Sequence, residues 1–148
     1  METKEKLELA LKDAMRSGDD VQKRTIRMVI AAVRQVEIDK QITLDEAAVL
    51  SIIQKEIKTR QDDIEEARRA NRPDIVAATE AEITVLKGYL PQALSEDELQ
   101  NLVREAILEA GAASAADMGK VMKILLPRVG ARAPGGQVSA EVRRQLQK

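Results

Sequence analysis

Residues 117–146 have the sequence DMGKVMKILLPRVGARAPGGQVSAEVRRQL. Two short segments with helical spacing flank a connector, Pro127–Gln137, which combines glycine, proline and arginine. The pattern predicts a helix that ends at Leu126 and a last helix from about Gln137 to Gln147. Ser114 is placed to cap the first of these two helices. The stretch therefore predicts a small helical unit at the end of the chain.

The same helical periodicity runs through the residues that precede this stretch. Gly18 and Gly111 predict helix ends, Pro73 predicts a first helical residue, and Thr43–Glu46 and Ser95–Glu98 match the capping-box pattern. We find no strand signal and no clear repeat. The prediction is an all-α protein with an N-terminal helical bundle of about four helices, residues 1–92, and a small C-terminal three-helix unit, residues 93–148.

Composition limits the kind of core that these helices can form. Hydrophobic residues are 44% of the chain, but aromatic residues are only 1%, and Tyr89 is the single example. The core must therefore consist of Leu, Ile, Val, Met and Ala. Such side chains suit close helix packing better than a sheet, where aromatic and β-branched residues are favoured.

Several kinds of active site are excluded by residues that the chain lacks. It contains no cysteine and no histidine, which removes thiolate chemistry, the commonest metal ligands and the commonest general base near pH 7. The carboxylate-rich stretches lack the spacing of di-iron bundles or calcium loops and are better explained as solvated helix surface. We therefore predict no catalytic residue, no metal site and no cofactor.

Positive charge is concentrated at the end of the chain. The net charge is −1 overall, yet residues 95–110 have a net charge of −4 and residues 111–148 a net charge of +5. A basic end of this kind can contact phosphate groups through cationic side chains and helix N-terminal amides. The candidate nucleic-acid-binding residues are Lys120, Lys123, Arg128, Arg132, Arg143 and Arg144. Ordinary solubilising charge is the alternative explanation.

Localisation is predicted from the absence of targeting features. No apolar run approaches the ~20 residues of a membrane span, and the first residues do not match a secretory signal peptide. The sequence therefore predicts a cytoplasmic protein with no membrane partner.

Several short stretches together resemble a known family. They are Lys23–Val29 (KRTIRMV), residues 60–72 with the sequence ARRANRPD at 67–74, Glu80-x-Glu82, Tyr89–Ser95 (YLPQALS), Asp117–Met122 (DMGKVM) and Gly130–Ser139 (GARAPGGQVS). Each is weak alone, but in this order and spacing the chain resembles the YqeY-like family over nearly its whole length. That family shares its GatB/YqeY domain with the C-terminal tail of the B subunit of tRNA-dependent amidotransferase.

The resemblance implies a function connected with tRNA. In the related enzyme the tail helps to hold the tRNA body, and the family label is carbon–nitrogen ligase activity with glutamine as the amido donor. The matching part lacks the catalytic body of that enzyme, so we interpret the ligase label as inherited from the larger protein. The expected partners are tRNA or a tRNA-handling protein.

A helical protein–protein adaptor is the competing hypothesis. The helix predicted from Thr43 to Ala70 exposes a long charged surface, with Lys55, Lys58 and Arg60 among its residues. We interpret most of these charges as a solvated, ion-paired helix face. Near-zero net charge is compatible with an adaptor, and the sequence leaves the oligomeric state open.

Overall fold

The structure is a computed structural model that describes residues 1–147. Within these residues it contains α-helices, short 3₁₀ turns and no strand, which confirms the all-α prediction. The helices are α1 (Thr3–Ser17), α2 (Asp20–Lys40), α3 (Glu46–Arg69), α4 (Pro73–Lys87), α5 (Glu96–Ala110), α6 (Met118–Val129) and α7 (Gly135–Leu146). The chain divides into two compact units, Met1–Leu90 and a second that begins at Pro91. No helix in the described residues is both long and apolar enough to cross a bilayer.

The first unit packs α1–α4 around one aliphatic core. Helix α1 lies along α2 and α3 along α4, while α2 also contacts both α3 and α4. The buried side chains of this core are Leu7, Ile26, Val29, Val33, Leu44, Val49, Ile53, Ile57, Ile64, Ile83 and Leu86. Helices α2, α3 and α4 each contribute buried residues three or four apart, and α1 adds Leu7 with the partly buried Ala10 and Leu11, so one apolar stripe per helix faces the common interior.

Most helix ends in the first unit follow local sequence signals. Gly18 ends α1 in the left-handed conformation, with φ of 75°, where a Cβ would be strained. The Asp19 side chain then caps α2 by accepting a hydrogen bond from the amide of Gln22 at 3.1 Å. Pro73 is the first residue of α4, where its missing N–H costs nothing.

The predicted capping box at Thr43–Glu46 is wrong. The cap of α3 is Asp45, whose carboxylate accepts from the amide of Ala48 at 2.9 Å. The carboxylate of Glu46 instead accepts the amide of Thr3, at 2.9 and 3.2 Å. A long-range contact with the first turn of α1 has therefore replaced the local one, and Leu44 is buried in the core.

Arg60 lies in the interior, although the sequence indicated a solvated helix face. Its side chain is 5% exposed. Nη1 donates to Oε2 of Glu56 at 2.7 Å, and Nε lies 3.4 Å from Oε2 of Glu82 on α4 without the alignment of a hydrogen bond. Nη2 contacts Sδ of Met28 on α2 at 3.5 Å. One guanidinium thus contacts α2, α3 and α4. A second polar group of this interior, the hydroxyl of Thr25, is buried without a hydrogen-bond partner among the described residues.

The second unit packs α5, α6 and α7 against one another. Its buried residues are Leu94, Leu99, Val103, Ala106, Val121, Leu125, Val129, Ala133, Val138, Val142 and Leu146. The capping box at Ser95 is confirmed, since Ser95 Oγ accepts from the Glu98 amide and the Glu98 carboxylate accepts from the Ser95 amide. Gly111 ends α5 with φ of 63°.

The connector predicted from Pro127 to Gln137 is shorter in the structure. Helix α6 continues through Pro127 to Val129, and α7 begins at Gly135. Pro127 removes only the hydrogen bond to the carbonyl of Lys123, near the end of the helix. Because Val129 is buried, packing in the core stabilises the extra turn. Ser114 caps a short 3₁₀ turn, Ala115–Asp117, which precedes α6.

Replacing Arg60 should destabilise the first unit far more than replacing an exposed arginine. Arg60→Met leaves Glu82 and Glu56 without their shared cation and should cost about 3 kcal/mol. Arg68→Met, which removes an exposed α3–α4 ion pair with Glu80, should cost less than ~1 kcal/mol. Urea denaturation followed by circular dichroism measures both values. Equal losses in the two variants would contradict a buried role for Arg60.

Acid should weaken the attachment of α1 to α3. Hydrogen bonding to Thr3 lowers the pKa of Glu46 below its ordinary value of 4.5. A lowered pKa in the folded state adds stability above pH ~4.5, which is lost as the pH falls through the folded-state value. Glu46→Gln should therefore lower Tm at pH 7, and the difference from wild type should shrink at acid pH. Glu66→Gln, an exposed change on the same helix, should leave Tm unchanged; a Glu46→Gln deficit that is independent of pH would refute the charge effect.

Candidate functional site

Four of the six candidate nucleic-acid-binding residues are paired with carboxylates inside the second unit. The pairs are Lys120–Asp117 at 3.8 Å, Arg132–Glu98 at 3.3 Å, Arg144–Glu141 at 2.8 Å, and Arg128–Glu109. These contacts offset much of the positive charge that the sequence places in this part of the chain. The pairs also differ in strength, so the six residues are not equivalent.

Arg132 has a structural role in the second unit. Its Nε donates to the carbonyl of Gln92 at 3.0 Å, and its own carbonyl accepts from the amide of Leu94 at 2.9 Å. Its guanidinium also reaches Glu98, in the first turn of α5. These bonds attach the segment before α5 to the turn between α6 and α7, which leaves Arg132 less available to a ligand.

Three of the candidates remain available on the outside of the helices. Lys120 and Lys123 lie on the face of α6 opposite the buried Val121 and Leu125, and Lys120 reaches Asp117 only at 3.8 Å. Within residues 1–147, no carboxylate lies within ion-pair distance of Lys123 or of the exposed Arg143 on α7. Lys120, Lys123 and Arg143 are therefore the members of the six candidates best able to attract an anion.

The N-terminus of α7 has a backbone open to solvent. The helix begins with Gly135 and Gly136, and Pro134 before them offers no side-chain cap. The amides of these glycines make no hydrogen bond within the described residues, whereas those of Gln137 and Val138 bond to the carbonyl of Pro134. Neither glycine has a positive φ, and a Cβ at either position would meet nothing within 4 Å. The fold therefore does not require glycine at these two positions, and a residue with a Cβ would stabilise the helix more.

Acidic groups of the second unit are held in their charged form by hydrogen bonds. The pKa of Glu98 is lowered, first by the amide and hydroxyl of Ser95 and then by Arg132. The pKa of Asp117 is lowered mainly by the amide of Ala113, 3.0 Å from its Oδ2, with a smaller contribution from Lys120. Both carboxylates are engaged in caps and turns, so their electrostatic effect is to offset nearby cations.

Sequence inspection missed a second cluster, in the first unit. Its members come from three separate stretches of the family resemblance. Arg24 and Met28 belong to the first, Arg60 to the second and Glu82 to the third, and their side chains lie in one network. Arg24 Nε is 3.3 Å from Oε1 of Glu82, whose other oxygen faces Arg60. The only available signal was that these residues fall in the resembling stretches. Among residues 1–147, no group of three or more potential ligands is placed to hold a metal ion.

Several fungal proteins are similar to this chain. One is the altered inheritance of mitochondria protein 41 of Pyrenophora tritici-repentis, 39% identical over 129 residues, which cover 83% of this chain and 71% of the relative. The protein of the same name from Lachancea thermotolerans is 40% identical over 102 residues, 67% of this chain and 54% of the relative. The Saccharomyces cerevisiae (strain YJM789) protein is 33% identical over 90 residues, which cover 60% of this chain and 49% of the relative. The matched parts thus span about half the length of the two yeast relatives.

The predicted cytoplasmic localisation is contradicted by these relatives. Each of them is named as a mitochondrial protein. The prediction used the lack of a membrane span and of a secretory signal, and neither feature distinguishes the cytoplasm from the mitochondrion.

The family resemblance found in the sequence is confirmed by a family model. The model described as Yqey-like protein matches residues 4–146, which include helices α2–α7 and most of α1. This chain belongs to the YqeY-like protein family.

Proposed function

We propose that this protein binds tRNA through its second unit and assists amide-forming chemistry performed by another protein. The observation that carries the proposal is a coincidence of position. The available cation Lys120 and the open N-terminus of α7 fall in stretches of the second unit that carry the family resemblance, and Lys123 directly follows the first of these two stretches. A related tail that holds tRNA supplies the analogy, and these residues supply groups suited to phosphate.

The available groups favour contacts with the RNA backbone. Lysine and arginine neutralise phosphates and release counterions, so affinity should fall as salt rises. The amides of Gly135 and Gly136 can donate to a phosphate oxygen at the positive end of the helix dipole. The chain has no Phe or Trp on which unstacked bases could stack. Recognition would therefore depend on the shape and backbone of a folded RNA.

Neutralising the available cations should weaken tRNA binding in a salt-dependent way. The variant Lys120→Gln/Lys123→Gln/Arg143→Gln should bind a transcript of a glutamine-accepting tRNA at least about tenfold more weakly. The slope of log affinity against log salt should become shallower by about one for each phosphate that the variant no longer neutralises. Fluorescence anisotropy across a salt series measures both quantities.

A matched control removes three exposed cations from the first unit. Lys12→Gln/Lys55→Gln/Lys87→Gln changes the net charge equally at residues without a carboxylate partner in the described chain. It should leave tRNA affinity close to wild type. Affinity that is insensitive to salt, or equal losses in the two triple variants, would refute a binding site in the second unit.

The substitution Gly136→Ala should change the stability of the protein and its affinity for tRNA in opposite directions. A Cβ fits without contact and the φ is not positive, so Gly136→Ala should raise stability by about 0.5 kcal/mol. The same Cβ stands beside the amides proposed to meet phosphate and should weaken tRNA binding several-fold. Thermal unfolding and anisotropy on one preparation test both effects. A more stable variant with unchanged affinity would remove the helix N-terminus from the proposed site.

A further inference from the structure

The outer face of α2 is a second exposed surface, separate from the residues proposed to bind tRNA. Ile26, Val29 and Val33 point into the core of the first unit. Helical spacing places another set on the opposite side, which we call the α2 face: Arg24, Arg27, Met28, Ala31, Gln35 and Ile38. Met28 and Ile38 are its large apolar members, and Arg24 and Arg27 are its cations.

The α2 face combines large apolar side chains with exposure. Met28 is 49% exposed and Ile38 is 70% exposed, and Met15 of α1, beside the face, is 55% exposed. Nη2 of Arg27 contacts Sδ of Met15 at 3.9 Å, which makes the methionine continuous with the face. Methionine and arginine are enriched in protein interfaces, and methionine adapts to differently shaped partners. The composition therefore favours a protein partner.

The α2 face is positive at its Arg27 end, whereas at its other end Asp39 Oδ1 accepts from Gln35 Nε2 at 2.8 Å. Between Val21 and Ile38 the only carboxylate is Glu37. It is directed away from this face, because Oε2 accepts from Lys4 Nζ at 2.7 Å and from the Leu44 amide at 2.8 Å. Arg27 has no carboxylate within ion-pair distance among the described residues. A partner with acidic side chains would supply the missing counter-charge.

The edge of the α2 face that meets α3 and α4 is held in place by buried contacts. The buried Arg60 contacts Sδ of Met28 from the interior side of α2, and Glu82 pairs with the exposed Arg24. Arg60 is shared between Glu56 and Glu82, and Glu82 also pairs with Arg24, so Arg27 is the cation of the face that keeps its charge available. Side chains held before binding lose less entropy when a partner docks.

We propose that the α2 face docks an acidic amphipathic segment of a partner protein. From Arg24 to Ile38 the face is about 21 Å long at ~1.5 Å per residue, which matches a partner helix of about 14 residues. Apolar residues of the partner would meet Met28, Ile38 and Met15, and its carboxylates would meet Arg27. Helix α3 is less suited to this role, because Lys58–Asp62 and Arg69–Glu65 pair along its own surface.

Selection of binding peptides tests the charge and pattern of the partner. The probe is a displayed library of random peptides of about 14 residues, selected against the full chain. We expect selected peptides to contain Asp or Glu together with Leu, Ile, Met or Phe at helical spacing. A synthetic copy of the best peptide should bind about tenfold more weakly to Arg27→Glu and to Ile38→Ala, a loss of about 1.4 kcal/mol.

Matched variants on other faces serve as controls. Lys55→Glu on α3 reverses an exposed charge, and Leu9→Ala on α1 truncates an exposed apolar side chain. Neither should change peptide affinity, and circular dichroism should show that all four variants keep the wild-type helix content. Arg27→Glu should leave tRNA affinity unchanged, so that the two surfaces can be judged separately.

Three results would overturn the docking proposal. The first is a selected consensus that is neutral or basic, or peptide binding that is indifferent to Arg27→Glu and Ile38→Ala. The second is loss of tRNA binding in Arg27→Glu, which would make the face part of a nucleic-acid site. The third is concentration-dependent dimerisation in sedimentation velocity that Ile38→Ala abolishes, which would make a second copy of the chain the occupant.

Discussion

The guanidinium of Arg60 links three helices of the first unit through contacts in its interior. It is surrounded by Glu56 of its own helix, Glu82 of α4 and Met28 of α2. A buried cation is tolerated only when its partners are in place, because its desolvation costs several kcal/mol. Aliphatic core residues tolerate substitutions of similar volume at small cost, whereas removal of one partner of a buried charge is costly because the other charge is left unpaired. The exposed Arg24 and Met28 take their positions from the same network.

The second unit shows how intramolecular pairing redistributes a basic segment. Arg128 and Arg132 reach carboxylates on α5, and Arg144 reaches Glu141 one turn away on α7. These contacts fix helices and turns, so they engage cations that the sequence had offered as candidates for a ligand. What remains is a smaller set on the outer sides of α6 and α7, together with the uncapped amides at the start of α7. Binding by such a site would be electrostatic and sensitive to salt.

The two surfaces differ in the chemistry they offer. The second unit presents lysine and open backbone amides, which suit phosphate. The α2 face presents arginine beside methionine and isoleucine, which suits a protein segment. A protein that holds an RNA and a protein partner through separate surfaces would function by bringing them together. The proposed tRNA contact rests on the resemblance to the tail of the amidotransferase B subunit, and the proposed protein contact rests on the exposed side chains of the α2 face.

The sequence alone determined the helical class and most helix ends. Periodic aliphatic residues and local caps such as Gly18, Asp19, Pro73 and Ser95 act within one or two turns, so their effects are visible without a fold. It could also have indicated the pairs Asp117–Lys120 and Glu141–Arg144, which are one turn apart.

Only the tertiary structure decided the contacts between residues distant in sequence. Glu46 leaves the expected capping box for Thr3, Arg60 is buried beside Glu82, and Arg132 binds Glu98. The partners in these contacts are separated by 22 to 43 residues. Helical periodicity shows which face of a helix is apolar, but it does not show which helix meets that face. The cations that stay without a carboxylate partner are decided by that packing.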